Sequence, residues 1–144
     1  MKIQNRKSRF NYEFIEKEIA GIVLAGTEVK SIREGKVSFT DSYCFFVDGE
    51  LWLKSLHISE YKEGTYNNHE PKRDRKLLLK KQQLRKLQKK MNEGGLTIIP
   101  TLIFINDKGL VKVEVALAKG KKTIDKRETI KQRDIEKDTN RELK

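Results

Sequence analysis

The sequence is poor in what a metal site, a disulfide framework or a membrane span is made of. It holds one cysteine, two histidines and two prolines in 144 residues. The lone Cys44 excludes an intramolecular disulfide and a cysteine-rich zinc site. With His57 and His69 the only histidines, there is no H-x-x-x-H pair, and the chain carries neither a glycine-rich phosphate loop nor a nucleophile elbow. A lone histidine in a hairpin strand or a loop is more often structural than catalytic, so an RNA-processing enzyme built on them is the remotest reading. No apolar run is long enough to span a bilayer, and the start MKIQNRKSRF lacks the apolar segment of a secretion signal. The expectation is a cytoplasmic protein that is not an enzyme, binds no metal and needs no cofactor.

Acidic residues are the other shortage. Against 32 Lys and Arg stand 21 Asp and Glu, a formal net charge of +11. Nucleic acid is the first partner such an excess suggests, because phosphate neutralisation and counterion release reward clustered Lys and Arg whatever the sequence bound. Apolar residues run short from Ala118 to Asp134, AKGKKTIDKRETIKQRD, where only Ile124 and Ile130 can be buried among seven Lys and Arg. A segment so poor in apolar surface cannot offset its ordering entropy by packing. Favourable pairs three apart, such as Glu128 with Lys131 and Arg133 with Glu136, add only about 0.2 to 0.5 kcal/mol each, too little to nucleate an unpacked helix. The chain therefore divides into a body over 1–118 and a basic tail over 119–144, disordered alone and helical when a partner supplies a surface.

What is present before that tail has the periodicities of a small α+β domain. Tyr12 to Leu24 is β-prone, with a bulge or bend expected at Gly21. A short helix is expected near 27–34, capped by Thr27 and stopped by Gly35, with Lys30 and Arg33 on one face. Tyr43 to Val47 and Glu50 to Ile58 flank Asp48-Gly49, a strong hairpin signal. Alternation sets Tyr43, Phe45 and Val47 on one face, read as core, and leaves Cys44 on the other. Residues 59 to 72 form a loop. A second helix is expected near 74–92, beginning either at Asp74 or after a break near Lys80, with Leu77, Leu84, Leu87 and Met91 on one stripe. Leu96 to Ile105 is a strand with Pro100 at an edge or bulge, and Asn106 to Gly109 turns the chain. Val111, Val113, Val115 and Leu117 then alternate with Lys112, Glu114 and Ala116, which points Lys112 outward. Five or six antiparallel strands with one longer helix across them suit a small antiparallel β-barrel of the oligonucleotide-binding type with attached helices.

Between Lys72 and Lys90 the basic excess meets a single acid, Asp74, and includes Arg73, Arg75 and Arg85. Arginine suits bidentate phosphate contact and stacking on bases, so RNA or DNA binding leads over a merely solvated helix face. On composition alone, a general barrel-type RNA-binding or ribosomal protein is the reading.

The blocks NRKSRFNYEF, AGIVLAGTEVKSIREGK, DSYCFFVDGE, RKLLLKK and AKGKKTIDKRETIKQRD, in this order and spacing, resemble the small protein B family, the SsrA-binding proteins. The resemblance covers nearly the whole chain. It implies a non-enzymatic partner of tmRNA in trans-translation, a monomer that holds the tRNA-like domain of tmRNA. The body would sit in the decoding centre of a stalled ribosome and the tail in the empty mRNA channel, helical there, so that the incomplete protein is tagged for degradation. Carried onto this chain, the family's RNA face falls on Asn5, Arg9, Lys30, Leu78, Lys80 and Lys112, with Lys30 and Lys112 on phosphates and Leu78 against bases. Its ribosome-binding tail falls on Gly120, Lys121, Lys122, Asp125, Lys126 and Arg127, with Ile130, Ile135 and Leu143 as apolar contacts of the folded tail. Two positions depart from the family pattern. Ile19 stands where many members have Glu, with Glu18 on the other side of a regular strand, and Ile124 stands where many carry His or Tyr.

Overall fold

The computed structural model describes residues 1–64 and 66–121, so the tail from 122 onward, with its expected helix, lies outside the described residues. The elements run β1 (Lys2–Gln4), α1 (Ser8–Asn11), β2 (Tyr12–Ile22), α2 (Gly26–Arg33), β3 (Val37–Ser38), β4 (Tyr43–Val47), β5 (Glu50–Lys54), β6 (His57–Ile58), β7 (Arg75–Leu78), α3 (Lys81–Asn92), β8 (Thr97–Ile105) and β9 (Val111–Gly120). The class is mixed α+β and every strand pair is antiparallel.

One sheet has the order β1-β8-β4-β5-β7-β2-β9, and β8 also pairs with β9, so the pairings from β8 through β4, β5, β7, β2 and β9 return to β8. Inside that circuit lie Leu51, Leu53, Leu77, Ile98, Ile103, Val113, Val115 and Leu117, all essentially without solvent contact. Leu84 and Leu87 of α3 join them, which gives that helix its buried stripe. β3 and β6 form a separate two-stranded ladder.

Local chemistry explains most boundaries. Asp48 and Gly49 both take positive φ, 52° and 80°, as a two-residue hairpin turn requires. Asn106 Oδ1 accepts from the amides of Lys108 and Leu110, closing the turn that ends at Gly109. The register of β8 against β9 shifts between Pro100 and Leu102, so the proline marks a bulge.

Five expectations change. The helix expected near 74–92 takes the later of its two starts, at Lys81 after the break near Lys80, and the segment before it is a strand, because Arg75 and Leu77 alternate inward on β7 with period 2 while Lys76 and Leu78 turn outward. Gly21 is no bulge: it pairs with Leu78 on one side and Lys112 on the other, and the irregularity of β2 falls between Phe14 and Glu16. On the hairpin, Cys44, Leu51 and Leu53 are buried, whereas Tyr43 and Val47 are exposed, so the inward face is the opposite of the one alternation suggested. Thr27 does not cap α2; Glu28 accepts from the Ala25 amide at 2.7 Å, and Thr27 Oγ1 bonds His69 Nδ1 at 2.8 Å. The body ends past residue 118, since Lys119 and Gly120 pair with Glu13 and Tyr12, and the Lys121 amide donates to Asn11.

Candidate nucleic-acid interface

Two kinds of basic residue emerge. Arg75 is fully buried; its Nε donates to Glu28 Oε2 at 2.6 Å, and its remaining nitrogens donate to the carbonyls of Leu56 and Pro71. Arg73 donates to both oxygens of the same carboxylate, at 2.6 and 2.9 Å. Burial pushes the Glu28 carboxyl up, and hydrogen bonds from Arg73 and the Ala25 amide with the Arg75 charge outweigh it, leaving the group below the ordinary carboxylate range. His69 completes this inner network, bonding Thr27 through Nδ1 and the Ile58 carbonyl through Nε2. Lys86 and Lys90 of α3 meet Glu16 at 2.7 and 3.2 Å. Part of the excess between Lys72 and Lys90 that looked unbalanced is thus answered from β2 and α2; Arg75 is sealed from any phosphate, and Arg73, its side chain a third exposed, is committed to Glu28.

The second kind lies on the outer face of β7, β2, β9, β8 and β1. Directly paired residues of antiparallel strands share a face, so Leu78, Gly21, Lys112, Phe104 and Lys2 form one row across the sheet. The next row holds Ile19, Glu114, Leu102 and Gln4. Gly21 serves the first row by what it omits: a Cβ there would stand 3.3 Å from Leu78 Cβ and 3.8 Å from Lys112 Nζ. The gap opens into a cleft of about 270 Å³ lined by Gly21, Ile22, Leu78, Leu110 and Lys112, where Leu78 is 51% exposed. An apolar floor with an ammonium at its edge can take the face of a base and its phosphate together.

Asn5 and Arg9 border a smaller cleft on the same face, with Lys17, Thr101, Leu102 and Glu114. Asn5 is partly committed to the fold, its Nδ2 donating to the Pro100 carbonyl at 2.8 Å. Four of the six sequence-assigned RNA residues, Asn5, Arg9, Leu78 and Lys112, therefore share one surface. Lys80 follows β7 at the entrance of α3 and is exposed. Lys30 stands apart on α2, its Nζ 5.3 Å over the Tyr61 ring. Of the tail residues, Gly120 closes β9 and Lys121 donates to the Arg9 carbonyl at 2.7 Å, while Lys122, Asp125, Lys126, Arg127, Ile130, Ile135 and Leu143 lie outside the described residues.

Sequence reasoning missed Gly21 as a cleft floor, Leu110 at its rim, and Phe10, which is 79% exposed beside Arg9. For Phe10 a signal existed: it is the one aromatic residue among residues 1–11, which hold Lys2, Arg6, Lys7 and Arg9.

A model of the family described as SmpB protein matches residues 2–144. The chain belongs to the SmpB protein family. It is 56% identical over 142 residues to the SsrA-binding protein of Phocaeicola vulgatus, spanning 99% of this chain and 95% of that one. The SsrA-binding protein of Bacteroides thetaiotaomicron is 54% identical over 142 residues, with the same two shares, 99% and 95%. Among solved structures, a chain described under "tmRNA-SmpB: a journey to the center of the bacterial ribosome" matches with TM-score 0.72 and 50% identity, over 84% of this chain and 85% of that one. The SmpB family thus shares both sequence and fold with this chain. Among the described residues no group of three or more His, Cys, Asp or Glu is placed to hold a metal ion, and no helix is long and apolar enough to cross a membrane.

Proposed function

We propose that this chain is a non-enzymatic tmRNA-binding protein of trans-translation, acting in the cytoplasm as a monomer. The observation that carries the reading is the outward surface gathering Asn5, Arg9, Leu78 and Lys112, on a chain whose relatives are SsrA-binding proteins. On this reading the closed circuit of strands is a small barrel of the oligonucleotide-binding type, whose outer face holds the tRNA-like domain of tmRNA. Leu78 packs against an exposed base, Lys112 takes a phosphate at the rim of the same cleft, Lys80 adds a cation at the entrance of α3, and Lys30 meets a phosphate separately, on α2. The body occupies the decoding centre of a stalled ribosome. Residues beyond Lys121, with their Lys-rich blocks, enter the empty mRNA channel as a helix, and tagging of the incomplete protein follows.

Binding to tmRNA and to an unrelated tRNA over a salt series tests the reading. Phosphate contacts alone lose affinity equally for both RNAs as salt rises, so equal affinities at every salt concentration would sink it in favour of a general RNA-binding protein. Deleting everything after Lys121 leaves tmRNA binding intact and abolishes tagging; loss of both together would refute the division between body and tail.

A further inference from the structure

The outward face that carries the RNA-binding reading contains one feature that a phosphate-binding surface has no use for. Glu114 stands on β9 between the two groups of site residues, two positions from Lys112 and on the same face, and it borders the small cleft with Asn5 and Arg9. Its side chain is 21% exposed, and Oε2 is fixed by the Thr101 hydroxyl at 2.6 Å, with Lys17 Nζ at 3.8 Å. Thr101 is the residue expelled by the β8 bulge, so the bulge aims that hydroxyl at the carboxylate. Among the described residues no hydrogen bond engages the other oxygen, Oε1.

A carboxylate held in place here repels every phosphate that approaches. A surface selected for backbone contact alone is therefore better without it. A fixed carboxylate accepts hydrogen bonds and cannot donate them. The base-edge groups that complement it are N–H donors: the exocyclic amines of unpaired cytosine, adenine and guanine, and the imino N–H of uracil and guanine; of these the exocyclic amine projects furthest from the ring. Across from Glu114, Ile19 is 46% exposed and offers apolar contact to the ring that carries such an amine.

We infer that Glu114 is a specificity-determining residue of this surface, whose free oxygen accepts a hydrogen bond from the exocyclic amine of an unpaired nucleobase, with Thr101 as its positioning residue. The inference rests on the proposed RNA-binding reading of this face. It gives the face a discriminating function: the cations attract any RNA, and the carboxylate rejects a backbone that arrives without an amine in register.

The experiment measures the affinities of the wild type and of Glu114→Gln for the tRNA-like domain of tmRNA and for oligo-uridine, which has phosphates, 2′-hydroxyls and an imino N–H but no exocyclic amine, so that loss of a bond from an imino group would weaken both RNAs alike. Glutamine keeps the size of the side chain and removes its charge. The expected result is a loss of about tenfold for the tRNA-like domain, the scale of one side-chain contact to a base edge, with affinity for oligo-uridine equal or higher. Thr101→Val, which frees the carboxylate without removing it, shows a smaller loss confined to the same RNA. A change by the same factor for both RNAs, or no change for either, overturns the inference. If the wild type itself fails to distinguish the two RNAs, the tmRNA reading falls, and Glu114 is still judged by whether its substitution separates them.

Discussion

Arg73 and Arg75 on one side of β7, and Lys112 with Leu78 on the other, come from the same basic composition and are used in opposite ways. The arginines converge on Glu28, which has no solvent contact, and tie α2 to β7 and to the carbonyls of Leu56 and Pro71. Lys112 forms no salt bridge among the described residues and lines an open apolar cleft. A buried guanidinium must find its partners inside the protein, and once it has them it has no hydrogen bonds left for a ligand. An exposed ammonium beside apolar surface has donors to spare. The lesson is that the charge of a segment does not locate a binding surface; the partner delivered from across the sheet does.

The largest effect that tests this contrast belongs to the inner side. Glu28→Ala leaves Arg75 buried without its counter-charge and costs about 3 to 5 kcal/mol, the range for breaking a buried pair, read from urea denaturation. Unchanged stability would remove the inner pair from the fold, and loss of RNA binding by a variant that is still folded would show that the two regions are not separable in this way. On the outer side, Gly21→Leu brings a side chain against Leu78 and Lys112 and fills the cleft, lowering tmRNA affinity by tenfold or more, about the loss of one stacked base. Its melting temperature changes little, and a variant that binds as well as wild type would remove the cleft from the interface.

Titration sharpens the comparison next. The carboxyl of Glu28 is held below its ordinary value, so it binds its proton more readily in the unfolded chain. Its contribution to stability is therefore fully present above pH 4.5, the ordinary value for this group, and is lost as pH falls below it. Glu28→Gln flattens the acid limb of the stability curve relative to wild type, measured by thermal melts from pH 6 to pH 3. A parallel limb in the variant would place the titration elsewhere. Lys112→Ala lowers the slope of log affinity against log salt by about one and leaves the melting temperature unchanged. Smallest of all is Lys86→Ala: its bond to Glu16 is at the surface and half exposed, so neither stability nor RNA affinity moves measurably.

Particular residues show how far the sequence could be read. The β9 alternation gave both its inward valines and the outward Lys112, because period 2 is a property of the strand itself. The Asp48-Gly49 turn was legible for the same reason, as positive φ is a local demand. The hairpin's inward face was not, since Tyr43, Phe45 and Val47 are as apolar as the residues that are buried, and only the partner surface decides which side is covered. Arg75 was misread as a phosphate ligand because its partner Glu28 lies 47 positions away. Asn5 and Arg9 could be assigned by resemblance, but nothing local placed them on the same face as Leu78 and Lys112.

By itself, then, the sequence determined the strand periods, the turn at Asp48-Gly49, the basic excess and the family blocks, all of which follow from local stereochemistry or from composition. Tertiary structure alone decided that Gly21 would be a floor instead of a bend, that Glu114 would stand among the cations of the outer face, that Arg75 would be sealed inside and that Arg73 would be tied to the same buried carboxylate. Each of those outcomes depends on register between strands far apart in the chain, and register is fixed by the burial of a whole sheet face rather than by any residue's own preference.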